Sequence, residues 1–172
     1  MFHCEDCGGT SSAPVVLDGV TLSECLLCGA LHGDDAVVAR AMLVRQAEER
    51  GFHPALYPLV VQIDRIDGLC VLQAEAGEPG QRTWPFVQLG LDGAFARSLE
   101  NLAKSIALSN VHSEVHWVLE VEYQRQLVVT LKPRFHRGLD QIGPREVIKA
   151  RADLQRVAAN LERDMALSWW RR

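Results

Sequence analysis

Residues 1–33 contain neither lysine nor arginine, and Glu5, Asp6, Asp18 and Glu24 leave the segment formally at minus four. Affinity for nucleic acid comes largely from Lys and Arg neutralising phosphates, so this stretch is a poor fit for gripping a phosphate backbone. No apolar run approaches the roughly 20 residues of a membrane-spanning helix. The N-terminus carries Cys, Glu and Asp where a secretory signal needs a basic region followed by an apolar one. The expectation is a soluble, cytoplasmic protein. Cysteine is scarce outside two N-terminal clusters, with only Cys70 left over, which suits a reducing compartment better than a disulfide framework. Lysine is scarce too, three residues against fifteen arginines, a composition typical of a GC-rich bacterial genome. A Gly-x-Ser-x-Gly elbow, a phosphate loop and a dinucleotide fingerprint are all missing. Cys70 lies in an apolar run, where cysteine usually serves as an inert small hydrophobe. The sequence offers no catalytic residue, and the protein is expected not to be an enzyme.

What the sequence does hold is concentrated at its start. Cys4-Glu5-Asp6-Cys7 and Cys25-Leu26-Leu27-Cys28 are two CxxC knuckles separated by the seventeen residues from Gly8 to Glu24. Four cysteines so spaced predict one tetrahedral Cys4 site for a structural Zn2+. Gly8-Gly9 and Gly29 follow the knuckles, where the backbone must fold tightly around sulfur. Between them, Val15-Val16-Leu17 and Val20-Thr21-Leu22 flank Asp18-Gly19, a strong two-residue hairpin signal. The knuckles are then expected at opposite ends of a small sheet. So short a unit buries little apolar surface, and metal binding is expected to supply most of its order. His3 and His32 flank the knuckles and read as surface residues or as outer neighbours of the site, with replacement of a thiolate as the alternative.

The remaining chain predicts an α+β domain, so that the expected division is a zinc ribbon over 1–33 and a second domain over 34–172. Asp34 or Asp35 caps a helix running to about Arg50 and ended by Gly51, with Val37, Ala41, Val44 and Ala47 at helical spacing. Leu59 to Ile66 reads as a strand, turned by Asp67-Gly68 into a second strand from Leu69 to Glu75. A third strand spans Arg82 to Leu89, where Pro85 argues for an edge or a bulge. Phe95, Leu99, Leu102 and Ile106 mark an amphipathic helix ending near Ser109-Asn110. From His112 to Tyr123 the chain alternates, with Val115, Trp117, Leu119, Val121 and Tyr123 on one side. Gln126 to Lys132 returns as its partner. Gly143-Pro144 opens a closing helix along Val147, Leu154, Val157, Leu161 and Met165.

The predicted order after the ribbon is α-β-β-β-α-β-β-α, with an antiparallel sheet covered by helices. It resembles the type III secretion chaperones and the bacterial sensory transduction regulator family that shares their fold. The helix from Phe95 to Leu108, the hairpin from Val115 through Leu131 and the helix from Pro144 carry the resemblance. It implies a homodimer that binds segments of other proteins without catalysis. Secretion chaperones usually lack an N-terminal metal ribbon.

Three further constellations complete the expectations. His112, Glu114 and His116 alternate with the apolar residues, so a strand would set them on one face. There they would form a second metal site, and with it a metal-dependent enzyme, or a solvated face opposite Thr130, Lys132 and Arg134. Trp169 and Trp170 either seal the core or, with Arg171 and Arg172, anchor a partner. The stretch 132–172 has ten bases against five acids. Lys149, Arg151, Arg156 and Arg163 would therefore serve a nucleic-acid-associated factor, although acids alternate with them as on a solvated helix face. The leading expectation is a zinc-binding, chaperone-like or regulatory adaptor that works through contacts with another protein.

Overall fold

A computed structural model describes the chain apart from Met1, Asp18, Gly80, Arg82, Ala94, Arg125, residues 135–142, Ser168, Trp169, Arg171 and Arg172. The architecture is α+β, with two antiparallel sheets and, among the described residues, four helices. Two units share the chain, Met1–Pro54 and Ala55–Arg172.

In the N-terminal unit, β1 (Ser12–Leu17) and β2 (Val20–Cys25) pair antiparallel from Leu17↔Val20 to Ser12↔Cys25. This is the predicted hairpin, with a two-residue connection of which Gly19 adopts φ 76°. A two-residue strand, β3 (Leu31–His32), adds to β2 through Ser23↔His32 and Glu24↔Leu31. Because the hairpin returns Cys25 beside Ser12, both knuckles lie at the same end of the sheet rather than at opposite ends.

Helix α1 (Asp35–Glu49) starts as its sequence requires: the Asp34 side chain accepts from the Ala36 and Val37 amides at 3.1 and 3.3 Å. Its inner stripe packs on the ribbon, where Leu22, Leu31 and Ala41 are buried among Val15, Leu17, Val37 and Val38. Arg45 Nη1 donates to Glu24 Oε1 of β2 at 2.9 Å. The helix therefore belongs with the ribbon, and the division of the chain falls after Pro54 instead of after Gly33. A hairpin of two six-residue strands has one face to cover, and α1 is the next apolar stripe in the chain.

The C-terminal unit opens on α2 (Tyr57–Asp64), where the sequence reading placed a strand. Pro58 sits in the first turn of this helix, where its missing N–H costs nothing. Leu59, Val60, Gln62 and Ile63 are buried while Val61 is only half-buried. A strand with Leu59, Val61 and Ile63 on one side would place Val61 inward and Gln62 outward, but the segment is apolar nearly all round and buries Gln62 instead. One short run of this kind does not distinguish the two periods.

The chain then forms β4 (Leu69–Ala76), β5 (Pro85–Leu91), α3 (Phe95–Asn110), β6 (Trp117–Gln124), β7 (Gln126–Pro133) and α4 (Pro144–Met165). The four strands lie in the order β4-β5-β7-β6, all antiparallel. From Asp34 onward the chain thus reads α-α-β-β-α-β-β-α, the expected order with its first strand replaced by the helix α2. Strand β5 is interior rather than at an edge. Pro85 is tolerated as its first residue, since pairing to β7 begins only at Val87↔Leu131. One side of the sheet carries Val87, Leu89, Val129, Leu131 and Trp117 into a core completed by Leu59 and Ile63 of α2, Leu102 and Ile106 of α3, and Leu154, Val157 and Leu161 of α4. The alternation of β6 outlasts its cover: Trp117 is buried, whereas Val121 and Tyr123 are exposed.

Candidate metal centre

The two knuckles repeat one local geometry. Gly8 N–H donates to Cys4 O at 2.8 Å and Gly29 N–H to Cys25 O at 2.9 Å, each glycine taking a positive φ, 73° and 75°. Cys4 N–H donates to Gly9 O and Cys25 N–H to Ala30 O, both at 2.8 Å. Every residue but glycine is strained at the turn position that closes each loop. At Gly9 the reason is room: a Cβ there would stand 3.1 Å from Cys25 Sγ and 3.3 Å from Cys7 Sγ.

The result is convergence. The sulfurs of Cys4, Cys7, Cys25 and Cys28 all lie within 4.8 Å of one another, and none forms a disulfide. Cys4 Sγ is 3.6 Å from Cys28 Sγ, and Cys7 Sγ is 3.6 Å from Cys25 Sγ. Four sulfurs about 2.3 Å from a tetrahedral ion would stand about 3.8 Å apart, so the donor set fits a single cation. Cys4 and Cys25 are buried, while Cys7 and Cys28 face solvent.

The electrostatics of the four sulfurs on their own point the same way. Backbone N–H groups of Cys28 and Leu27 pull the Cys25 thiol down to about 7. The Gly9 N–H acts likewise on Cys7, but the Cys28, Cys4 and Cys25 sulfurs and desolvation outweigh it and push Cys7 up to about 12. Cys28 is also raised: the Ala30 backbone and Cys7 lower it, and desolvation, Cys4 and Cys25 prevail. Thiolates this close cannot all carry charge without a counter-ion, and a bound cation removes the conflict by deprotonating them together.

The other candidate residues fall elsewhere. His3 is exposed. His32 Nε2 lies 3.2 Å from Cys4 Sγ, and Cys4, Asp6 and His32 form a second convergent group that shares Cys4 with the first. His112, Glu114 and His116 are exposed in the connection between α3 and β6, ahead of the strand, so the alternation that would align them does not apply. Glu114 pairs with Lys149 at 2.5 Å. Among the described residues, the groups able to converge on an ion are the two N-terminal ones. Trp170 packs against the core, and its carbonyl accepts from Asn101 Nδ2 at 3.1 Å; Trp169, Arg171 and Arg172 lie outside the described residues.

Four cations of α4 have partners within their own unit. Arg151 donates from Nε to Ala76 O at 2.8 Å and from Nη2 to Gly77 O. Arg156 pairs with Asp153, Lys149 with Glu114, and Arg163 donates to Asn160 at 3.2 Å. An apolar hollow of about 300 Å³ lies within the N-terminal unit, lined by Leu17, Val20, Ala36, Val37, Arg40 and Ala41. Its lining has no metal-ligating or nucleophilic side chain. Among the described residues no helix is long and apolar enough to cross a membrane. No protein-family model, curated protein or solved structure matches the chain.

Proposed function

We propose that this protein is a non-enzymatic zinc-ribbon adaptor of the bacterial cytoplasm, in which Cys4, Cys7, Cys25 and Cys28 hold one structural Zn2+ and the ordered ribbon engages another protein. Zinc is the ion favoured by an all-thiolate tetrahedral set, and with four protein ligands it keeps no open position for substrate. Its contribution is order. Among the described residues the ribbon and α1 share a small core, Leu22, Leu31 and Ala41 with Val15, Leu17, Val37 and Val38 packed against them, and structural zinc contributes roughly 10–16 kcal/mol to such small units.

The observation that carries the reading is the exterior of the second knuckle. Leu26 and Leu27 lie between two metal-ligating cysteines and are 67% and 73% exposed. The loop that holds them closes around the sulfurs, so a large apolar pair is presented on a rigid support. Glu5 and Asp6 in the first knuckle are exposed beside their own cysteines, and the whole segment lacks a cation. An apolar pair on an acidic ribbon suits a partner that offers an apolar pocket rimmed by Lys or Arg, and does not suit phosphate. The stretch from Phe95 to the end of α4, which carries the resemblance to secretion chaperones, keeps the expected α-β-β-α order, and on that resemblance we add the proposal of a homodimer.

The test is affinity purification from the native host with wild-type protein and with the Leu26→Glu, Leu27→Glu double variant. The expected result is one zinc per chain in both, and a stoichiometric partner protein with the wild type alone. A partner retained by the variant would remove the knuckle from the interface. Nucleic acid retained in a salt-dependent manner would replace the reading altogether. Light scattering on the purified chain tests the dimer, which a monomer at high concentration would refute.

A further inference from the structure

We propose that His32 is the hydrogen-bond donor that holds the Cys4 sulfur in place against the metal, acting as a positioning residue and not as a ligand. The inference rests on the metal reading above, and it starts from the pairing of β3. Leu31 and His32 are successive residues of a strand, so their side chains leave opposite faces of the ribbon sheet. Leu31 enters the core beneath α1. His32 is thereby turned to the other face, where its Nε2 meets Cys4 Sγ at 3.2 Å. The Phe2 ring stands against the imidazole edge to face, centroids 5.0 Å apart and planes at 85°. Strand pairing on one side and an aromatic ring on the other fix the orientation of the imidazole.

The chemistry determines the direction of the bond. A metal-bound thiolate has no proton to give, so the contact is a hydrogen bond only when Nε2 carries the proton and sulfur accepts it. The need for such a donor follows from burial. Four thiolates around one Zn2+ leave the centre at minus two. The exposed sulfurs of Cys7 and Cys28 can share that charge with water, but Cys4 and Cys25 are 0% and 1% accessible. Cys25 receives the backbone N–H groups of its own knuckle. Cys4, the other buried sulfur, receives the imidazole. Outer donors of this kind typically alter metal affinity by about 10–100-fold. The Asp6 carboxylate belongs to the same cluster, which raises the rival arrangement in which His32 and Asp6 ligate the ion directly with Cys4.

The experiment uses the full chain loaded with Co2+, whose absorption reports the ligands, and then with Zn2+ challenged by excess chelator. Wild type and His32→Gln, which keeps an N–H donor on a side chain of comparable reach, are expected to show the ligand-field bands of four sulfurs and slow metal release. His32→Ala is expected to keep the four-sulfur bands, to shift the sulfur-to-cobalt charge-transfer bands to lower energy and to release zinc about 10–100 times faster. Nitrogen-detected NMR of the wild-type zinc protein is expected to show His32 protonated at Nε2, a readout that does not depend on any variant folding. Release from His32→Ala at the wild-type rate would overturn the proposal, as would an Nδ1-protonated tautomer. Wild-type bands of a mixed sulfur and nitrogen site would overturn it in favour of direct ligation. A wild-type chain that binds neither metal would overturn the metal reading itself, an outcome distinct from the other three.

Discussion

Asp153 on α4 provides a sharp test of how the C-terminal unit is held together. Its carboxylate is fully buried, accepts the Val115 N–H at 2.8 Å and pairs with Arg156. It therefore ties the closing helix to the connection that leads into β6. Asp153→Ala leaves the Val115 amide without its acceptor, a loss of about 1–3 kcal/mol, and breaks the ion pair. The Arg156 side chain is 52% exposed, so its guanidinium can turn to water, and the roughly 3–5 kcal/mol of a stranded buried charge does not apply in full. The expected loss is about 2–3 kcal/mol. Asp153→Asn keeps an oxygen for Val115 in nearly the same volume and should cost no more than about 1 kcal/mol. Arg156→Ala strands the carboxylate itself and should fall between the two or match the alanine variant. Urea unfolding followed by tryptophan fluorescence, to which the buried Trp117 contributes, reads all three variants. With a slope of roughly 2 kcal/mol/M, the Asp153→Ala midpoint should drop by about 1–1.5 M. A drop below about 0.3 M, or an asparagine variant as weak as the alanine one, would refute the assignment.

Chelation of the proposed metal should abolish amide-exchange protection over β1–β3, because the small cluster around Leu22, Leu31 and Ala41 gives that sheet little apolar support; protection in β4–β7 should persist, and unchanged protection in β1–β3 after complete chelation would contradict the structural role. Arg151→Ala removes two hydrogen bonds to the carbonyls that end β4 and should lower stability by about 1–3 kcal/mol in the same urea assay. The Lys149 ammonium, by hydrogen bond and then by charge, holds the Glu114 carboxyl below its ordinary range, while Glu114 raises Lys149. The pair's contribution is therefore present between the two ranges, lost as pH falls through the lowered Glu114 value and lost again as pH rises through the raised Lys149 value. Carboxyl NMR titration should find Glu114 below the usual glutamate midpoint in the wild type and returned toward it in Lys149→Ala.

Local rules located most elements. The Asp34 cap, the two-residue hairpin connection, the stripe of Phe95, Leu99, Leu102 and Ile106, and the opening of α4 at Pro144 each depend on residues within one or two turns of one another. Those signals survive folding because the backbone geometry they report is short-range. The stretch from Leu59 to Ile66 reads as a strand because apolar residues on nearly every side erase the period; packed in the core of its unit, the chain forms a helix from Tyr57 to Asp64 instead. Pro85 pointed to an edge, yet one proline at the first residue of a strand forbids only a single hydrogen bond.

The cysteine cluster divides in the same way. The sequence by itself determined that Cys4, Cys7, Cys25 and Cys28 share one site, since CxxC spacing with glycine behind each knuckle leaves the sulfurs little other use. It also determined that His112, Glu114 and His116 would converge only if a strand carried them, and the strand begins at Trp117. Tertiary structure alone decided that α1 closes the ribbon, that β5 lies inside its sheet, and that His32 reaches Cys4 across 28 positions of chain. The physical reason is common to all three. Which neighbour covers an apolar face, or which donor meets a buried sulfur, depends on pairings between distant segments, and a side chain carries no local mark of the partner it will meet.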